Sequence, residues 1–294
     1  MAAAKAALLP VSYGVTPVTA TTNEQNTASS KGATPATLCL SFDNMGMARA
    51  IGAGTASKPD PDEPGLKIGH PRVLDLLDEL GIKATFFIEA WNCLHHGDQV
   101  LETARRGHDV AMHGFAHERF GSLSQLQAEQ VLFDSYAAFR NLGISPVGFR
   151  APGGVRGPYA IAPLSELGMI YDSSLQEDDS RERPSEQFVQ PHIVAPGLAA
   201  LPFRWKYVDG YMYRSDPGPR TPDYLLKQWN AMLDRCASEG ATLTVIFHPY
   251  LSGTQDDRFD AMRSFLQYAQ TNPAVQISTV RARAEQVLAP DSPS

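Results

Sequence analysis

The sequence predicts an α/β fold built on a mainly parallel sheet, either covered on both faces or closed as a barrel. Short apolar runs alternate with helix-like segments along most of the chain, which is the rhythm of strand–helix–strand units. The strand-like runs are apolar almost throughout rather than every second residue, as expected of strands buried on both faces. Glycine or proline bounds most of them. With 294 residues, 43% of them apolar, the chain can fill one large core or two small ones.

Residues 1 to 35 are rich in Ala, Thr, Ser and Asn and follow no period, so they are expected to form a flexible tail ahead of a domain over 36–294. Met1 to Ala20 offers one lysine, a short apolar stretch broken by Pro10 and Gly14, and a cleavage-like Val18-Thr19-Ala20. This is a poor signal peptide, and the expectation is a cytoplasmic protein, secretion through a weak leader being the alternative. Three scattered cysteines, Cys39, Cys93 and Cys236, form no disulfide framework and fit a reducing compartment.

From Thr37 onward the elements follow in order. Thr37–Asp43, Lys83–Glu89, Asp109–His113, Val147–Arg150, Met169–Asp172 and Thr242–His248 read as buried strands. Pro71–Leu80 sets Val73, Leu74, Leu77 and Leu80 on one helical face, with proline in the first turn and Gly81 as the stop. Asp98–Arg106, Leu123–Leu142 and Asp223–Glu239 read as helices ended by Gly107, Gly143 and Gly240, and Ser122 with Gln125 has capping-box spacing. Three connections, Asn44–His70, Ser173 to about His192 and Arg204–Pro222, are too long for turns. Loops of that length in a compact domain are usually functional or disordered.

Charge narrows the partners. Lysine and arginine number 25 against 32 aspartates and glutamates, a formal charge of −7, which disfavours nucleic acid and anionic lipid surfaces. No apolar run reaches the ~18 residues needed to span a bilayer, so a soluble chain without a membrane partner is expected.

Polar residues interrupt the apolar pattern repeatedly at strand carboxyl ends: Asp43, Glu89, His113, Arg150, Asp172 and His248. In parallel α/β folds that rim holds ligands and catalysts. His113 and His117 have i, i+4 spacing that can aim two imidazoles at one ion, although a solvent-facing pair would look the same. Asp43-Asn44 puts a carboxylate and an amide at the rim, and His248 adds a group suited to proton transfer near neutrality. Glu89 alone reads more readily as a chain-exit residue. Trp205, Tyr207, Tyr211 and Tyr213 crowd one loop and suit either stacking on a sugar ring or packing.

Taken together, Ser-Phe-Asp43-Asn44, His113-Gly-Phe-Ala-His117, Arg150-Ala-Pro152-Gly153, Tyr171-Asp172-Ser-Ser and Phe247-His248-Pro249 resemble the polysaccharide deacetylase family, the NodB-homology domain of carbohydrate esterase family four. The resemblance runs from about Thr37 to Val287 and is nearest to the peptidoglycan-deacetylase and allantoinase-like branch. It implies a distorted (β/α) barrel of about seven parallel strands. It further implies Asp43 as catalytic base, Asn44, His113 and His117 as ligands of a divalent metal such as zinc, and Arg150 as the orienter of the base. His248 would be the proton donor and Asp172 its supporting aspartate. Pro152 and Gly153 would let substrate approach the backbone, with Trp205 and Tyr211 as substrate contacts.

Two departures qualify the likeness. Asn44 stands where the family has a metal-binding aspartate, and an uncharged amide weakens the hold on an ion. Tyr250-Leu-Ser-Gly replaces a common Gly-Arg-Pro segment, so the substrate wall there differs. The implied activity is hydrolysis of a carbon–nitrogen amide bond, N-deacetylation of an amino sugar or related metabolite. Alternatives are a metal-free hydrolase of a cyclic amide or ureide, favoured by Asn44, and a non-catalytic carbohydrate-binding relative. The partner is a saccharide or small-molecule substrate, and the family resemblance adds a homo-oligomer.

Overall fold

A computed structural model describes residues 35–289. The expected tail, apart from its last residue, and the leader-like start lie outside the described residues. The nine strands described are β1 (Ala36–Asp43), β2 (Thr85–Ile88), β3 (Asp109–Met112), β4 (Gly148–Phe149), β5 (Tyr171–Asp172), β6 (His192–Ala195), β7 (Leu198–Ala200), β8 (Thr242–Phe247) and β9 (Val275–Ser278). They form one sheet in the order β6-β7-β5-β4-β3-β2-β1-β8, with β9 beside β1. From β7 to β8 that path holds seven mutually parallel strands, and only β6 runs antiparallel, in a hairpin with β7.

The sheet is curled into a half-barrel of the distorted (β/α) type. Beyond β7 the chain makes single parallel bridges, Leu175 to Phe203 and Val208 to Ile246, and so returns toward β8 without another full ladder. β1 is central because all eight of its residues are buried. Its amino-terminal half pairs with β9 and its carboxyl-terminal residues pair with β2 along the same side, while β8 occupies the other. The parallel register aligns the carboxyl ends of β1, β2, β3 and β8, and this brings their terminal polar residues to one rim.

The predicted helices form with ends moved by one or two residues: His70–Glu79, Gly97–Arg105, Gln125–Asn141 and Pro222–Glu239. The capping box sits two residues later than its expected place. Ser124 accepts from the Gln127 amide, and the Gln127 side chain accepts from the Ser124 amide, because Phe120–Ser122 is spent in a 3-10 turn. The β6–β7 hairpin, β9 and the helices Asp256–Thr271 and Val280–Leu288 have no counterpart among the predicted elements. None of the helices among the described residues is long and apolar enough to cross a membrane. All three cysteines are free and buried, and burial pushes their thiols up to about 12.

Candidate active site

The end of β1 carries the acid. Asp43 is 6% exposed, and its Oδ1 accepts a 2.5 Å hydrogen bond from Arg150 Nη1. Arg150 follows β4 and is fully buried. Its guanidinium meets Asp43 through one nitrogen, because Nε donates to the Ser173 carbonyl, Nη2 to Ser173 Oγ, and Nη1 also to Ser41 Oγ. Phe87 lies under it at 3.9 Å. The base is therefore clamped from behind through Oδ1, and Oδ2 faces His113 Nε2 at 3.9 Å.

The end of β3 carries the imidazoles. His113 is 2% exposed, and its Nδ1 lies 2.9 Å from the Arg150 carbonyl, where it can only donate, so Nε2 keeps its lone pair. The next four residues turn rather than continue as a helix. Gly114 takes φ +70°, and a Cβ there would come within 2.8 Å of Pro152. Glu118 closes the turn by accepting from the Phe115 and Ala116 amides. The turn sets the His117 ring 5.2 Å from that of His113. Among the described residues the two non-glycines with positive φ are Asn44 and His117, both at 63°, so the unusual backbone is concentrated here.

Glu89, at the end of β2, joins this pair. Its ligand atom and those of His113 and His117 all lie within 4.8 Å of one another. Glu89 is fully buried. Oε2 accepts from the Met45 amide and the Asn92 side chain, while Oε1 has no hydrogen-bond partner. Asn44 Oδ1 is likewise buried and unpartnered. Two imidazoles, a carboxylate oxygen and an amide oxygen fit the donor preferences of a zinc-like ion.

The end of β8 carries the third imidazole. His248 Nδ1 lies 2.6 Å from Asp209 Oδ1, and the His248 amide donates to Asp209 Oδ2 at 2.9 Å. Ser252 Oγ donates to the same carboxylate, which is fully buried. This corrects the pairing expected for Asp172. Asp172 lies at the end of β5, bound by Arg156 and by the Ser174 amide and hydroxyl, and it supports the strand exit rather than His248.

These groups meet in one pocket of about 120 Å³, lined by Asp43, Asn44, His113, His117 and His248, with Gly153, Trp205 and Tyr211 on its wall. Gly153 has φ +71° and leaves that wall open. Pro152 is not on the wall; it is buried against Gly114, and Ala151, Gly153 and Gly154 take the place expected for it. All four loop aromatics are buried in the core, and of them Trp205 and Tyr211 also reach the pocket. Sequence reasoning missed Asp209 altogether and set Glu89 aside. The only signal for Glu89 was an acid closing an otherwise apolar strand.

Burial dominates the electrostatics. It drives His113 and His117 down to about 3, so both are neutral and able to ligate near neutral pH. His70 and His108, which flank Phe86 in the core, fall to about 4. Glu89 is pushed up to about 8, again by burial. The depressed histidines contribute stability that is complete above about 6.5 and is lost as pH falls toward 4. The raised glutamate contributes stability that is complete below about 4.5 and is lost as pH rises toward 8. Four histidines outweigh one glutamate on the acid side. The chelated, metal-free protein is thus expected to be most heat-resistant near pH 6.5 and to lose Tm more steeply below it than above. A calorimetric series from pH 4.5 to 8 checks this; a flat acid limb would contradict it.

Comparisons with known proteins find similar sequences and similar folds. The family model for polysaccharide deacetylase matches residues 34–171, which covers β1 to β4 and the site residues they carry. The chain is 30% identical over 130 residues to a peptidoglycan deacetylase of Helicobacter pylori, an alignment covering 43% of this chain and 44% of that one. The chain thus spans less than half the length of that relative. Among solved structures, a candidate polysaccharide deacetylase from Mycobacterium smegmatis superposes with a TM-score of 0.72 at 26% identity, covering 90% of this chain and 95% of that one. An allantoinase, Puue, superposes with a TM-score of 0.69 at 18% identity over 86% of this chain and 91% of its own, a likeness of fold. The shared fold therefore extends past the matched segment to β8 and His248.

Proposed function

We propose that this chain hydrolyses the N-acyl amide of an amino sugar or a related N-acylated compound. The observation that carries the reading is the placement of Asp43 and His248 on one pocket, each held from behind by its own buried partner, Arg150 and Asp209. An acid and a base so fixed suit the two proton transfers of amide hydrolysis. The family match and the H. pylori relative favour an acetylated saccharide as substrate.

A divalent ion held by Glu89, His113 and His117, with Asn44 in reach of the same pocket, would polarise the acyl carbonyl and ease deprotonation of the attacking water. The chain's own residues do the rest. Asp43 Oδ2, left free by the Arg150 clamp, takes the proton from water as its oxygen attacks the carbonyl carbon. Asp209 accepts from His248 Nδ1, so the proton given up comes from Nε2. That proton goes to the amide nitrogen as the carbon–nitrogen bond breaks, and a carboxylate and an amine leave.

Asn44 is the observation that favours a second reading, a metal-free hydrolase of a cyclic amide. Glu89 weighs against it, because it supplies the carboxylate that position 44 lacks. The experiment measures acetate release from N-acetylated amino sugars before and after chelation. Activity is expected to fall by about tenfold or more without metal and to return with zinc. Activity untouched by chelation, in protein free of metal, would transfer the proposal to the second reading.

A further inference from the structure

The mouth of the pocket carries charge that amide hydrolysis does not require. Arg49, Arg181 and Arg214 all line it. Each comes from a different one of the three long connections, 44–70, 173–192 and 204–222, so distant parts of the chain deliver the same side chain to one place. None forms an ion pair with a carboxylate among the described residues, whereas Arg106, Arg156, Arg204 and Arg235 elsewhere do. The pocket's one lining carboxylate is Asp43, which Arg150 already holds. In a chain with a formal charge of −7 this is a local inversion of sign.

Two of the three are seated on aromatic rings rather than in an ion pair. The Arg181 guanidinium stacks 3.9 Å above Trp205, and that of Arg214 stands 5.5 Å from the centre of the Tyr250 ring. Stacking orders the Arg181 guanidinium while leaving its N–H edge free, and Arg214 is steadied by the Tyr250 side chain. The groups also feel one another: Arg181 is held below the usual arginine value by burial first, then by the charge of Arg49, with Tyr250 and Glu182 opposing and Arg214 adding to it. Like charges gathered around a cleft repel until an anion enters, and their field draws one in. A guanidinium fork matches the paired oxygens of a carboxylate or phosphate.

We infer that the substrate carries an anionic group, a carboxylate or a phosphate, close to its N-acyl group, and that Arg49, Arg181 and Arg214 select for it. The inference rests on the reading of this pocket as an N-acyl amidohydrolase site.

Binding without turnover tests it. Titrating His248→Gln protein with N-acetylglucosamine, N-acetylmuramic acid and N-acetylglucosamine 6-phosphate at low and high salt compares neutral, carboxylate and phosphate ligands on one scaffold. One of the anionic ligands is expected to bind about tenfold or more tighter than the neutral one, with an advantage that shrinks as salt rises. Which of the two does so identifies the anion. Arg181→Gln combined with Arg214→Gln is expected to abolish that advantage while leaving the affinity for N-acetylglucosamine in place, and the lysine pair to restore part of it. Equal affinity for neutral and anionic ligands, or a preference that survives both glutamine substitutions, overturns the inference. If wild-type protein hydrolyses none of the three ligands, the hydrolase reading alone suffers, because the preference is measured in binding.

Discussion

Asp43→Asn is expected to lower kcat for acetate release on the order of 10²- to 10⁴-fold, the loss that follows removal of a positioned general base. The substitution separates chemistry from architecture. An asparagine oxygen can still accept the bond from Arg150 Nη1 that Asp43 Oδ1 now accepts, so the buried guanidinium keeps a partner. Removing the oxygen altogether, as in Asp43→Ala, would leave a fully buried Arg150 without its carboxylate and cost about 3–5 kcal/mol of stability. The asparagine variant should therefore stay folded and bind substrate while failing to turn it over. Steady-state kinetics beside a melting curve gives both numbers. Near-normal turnover by a folded Asp43→Asn protein would remove this residue from the role proposed for it.

Glu89→Gln is expected to weaken zinc binding by more than about 100-fold, since even outer-shell partners of a metal site change affinity by ~10- to 100-fold. Glutamine keeps the shape and an oxygen able to accept from the Met45 amide, so the hold of Glu89 on the loop after β1 is spared. What it removes is the charge. If Glu89 only anchors that loop, metal content after dialysis against zinc will match wild type. Because burial pushes the Glu89 carboxyl up to about 8, metal uptake must displace its proton, and affinity is expected to rise with pH through that region. Asn44→Asp provides the complementary arm: a second carboxylate beside the same pocket should tighten binding. Titration calorimetry reads all three proteins without any assay of hydrolysis.

The parts of the site that were legible in the sequence lie in short stretches. Asp43, His113 and His248 each end an apolar run, and a strand that stops in a polar residue announces which of its ends is the rim. Arg150 was visible for the same reason. Asp209 was not, because its relation to His248 crosses 39 residues and depends on a helix start, Asp209–Arg214, that no periodicity marks. The family resemblance gave Asp172 the supporting role, yet its partners are Arg156 and Ser174. The capping box slipped from Ser122 to Ser124 because two serines offered the same spacing and only the preceding turn distinguishes them.

Local order of residue types determined the α/β class, the six polar strand ends and the imidazole pair, since strand burial and helix periodicity are properties of neighbouring residues. The tertiary structure decided which acid serves which base, that Glu89 stands with the two histidines, and that three arginines from three loops share one pocket mouth. Parallel stacking puts groups far apart in the chain within a few ångströms at the rim, and a hydrogen bond or ion pair depends on that distance rather than on separation along the sequence.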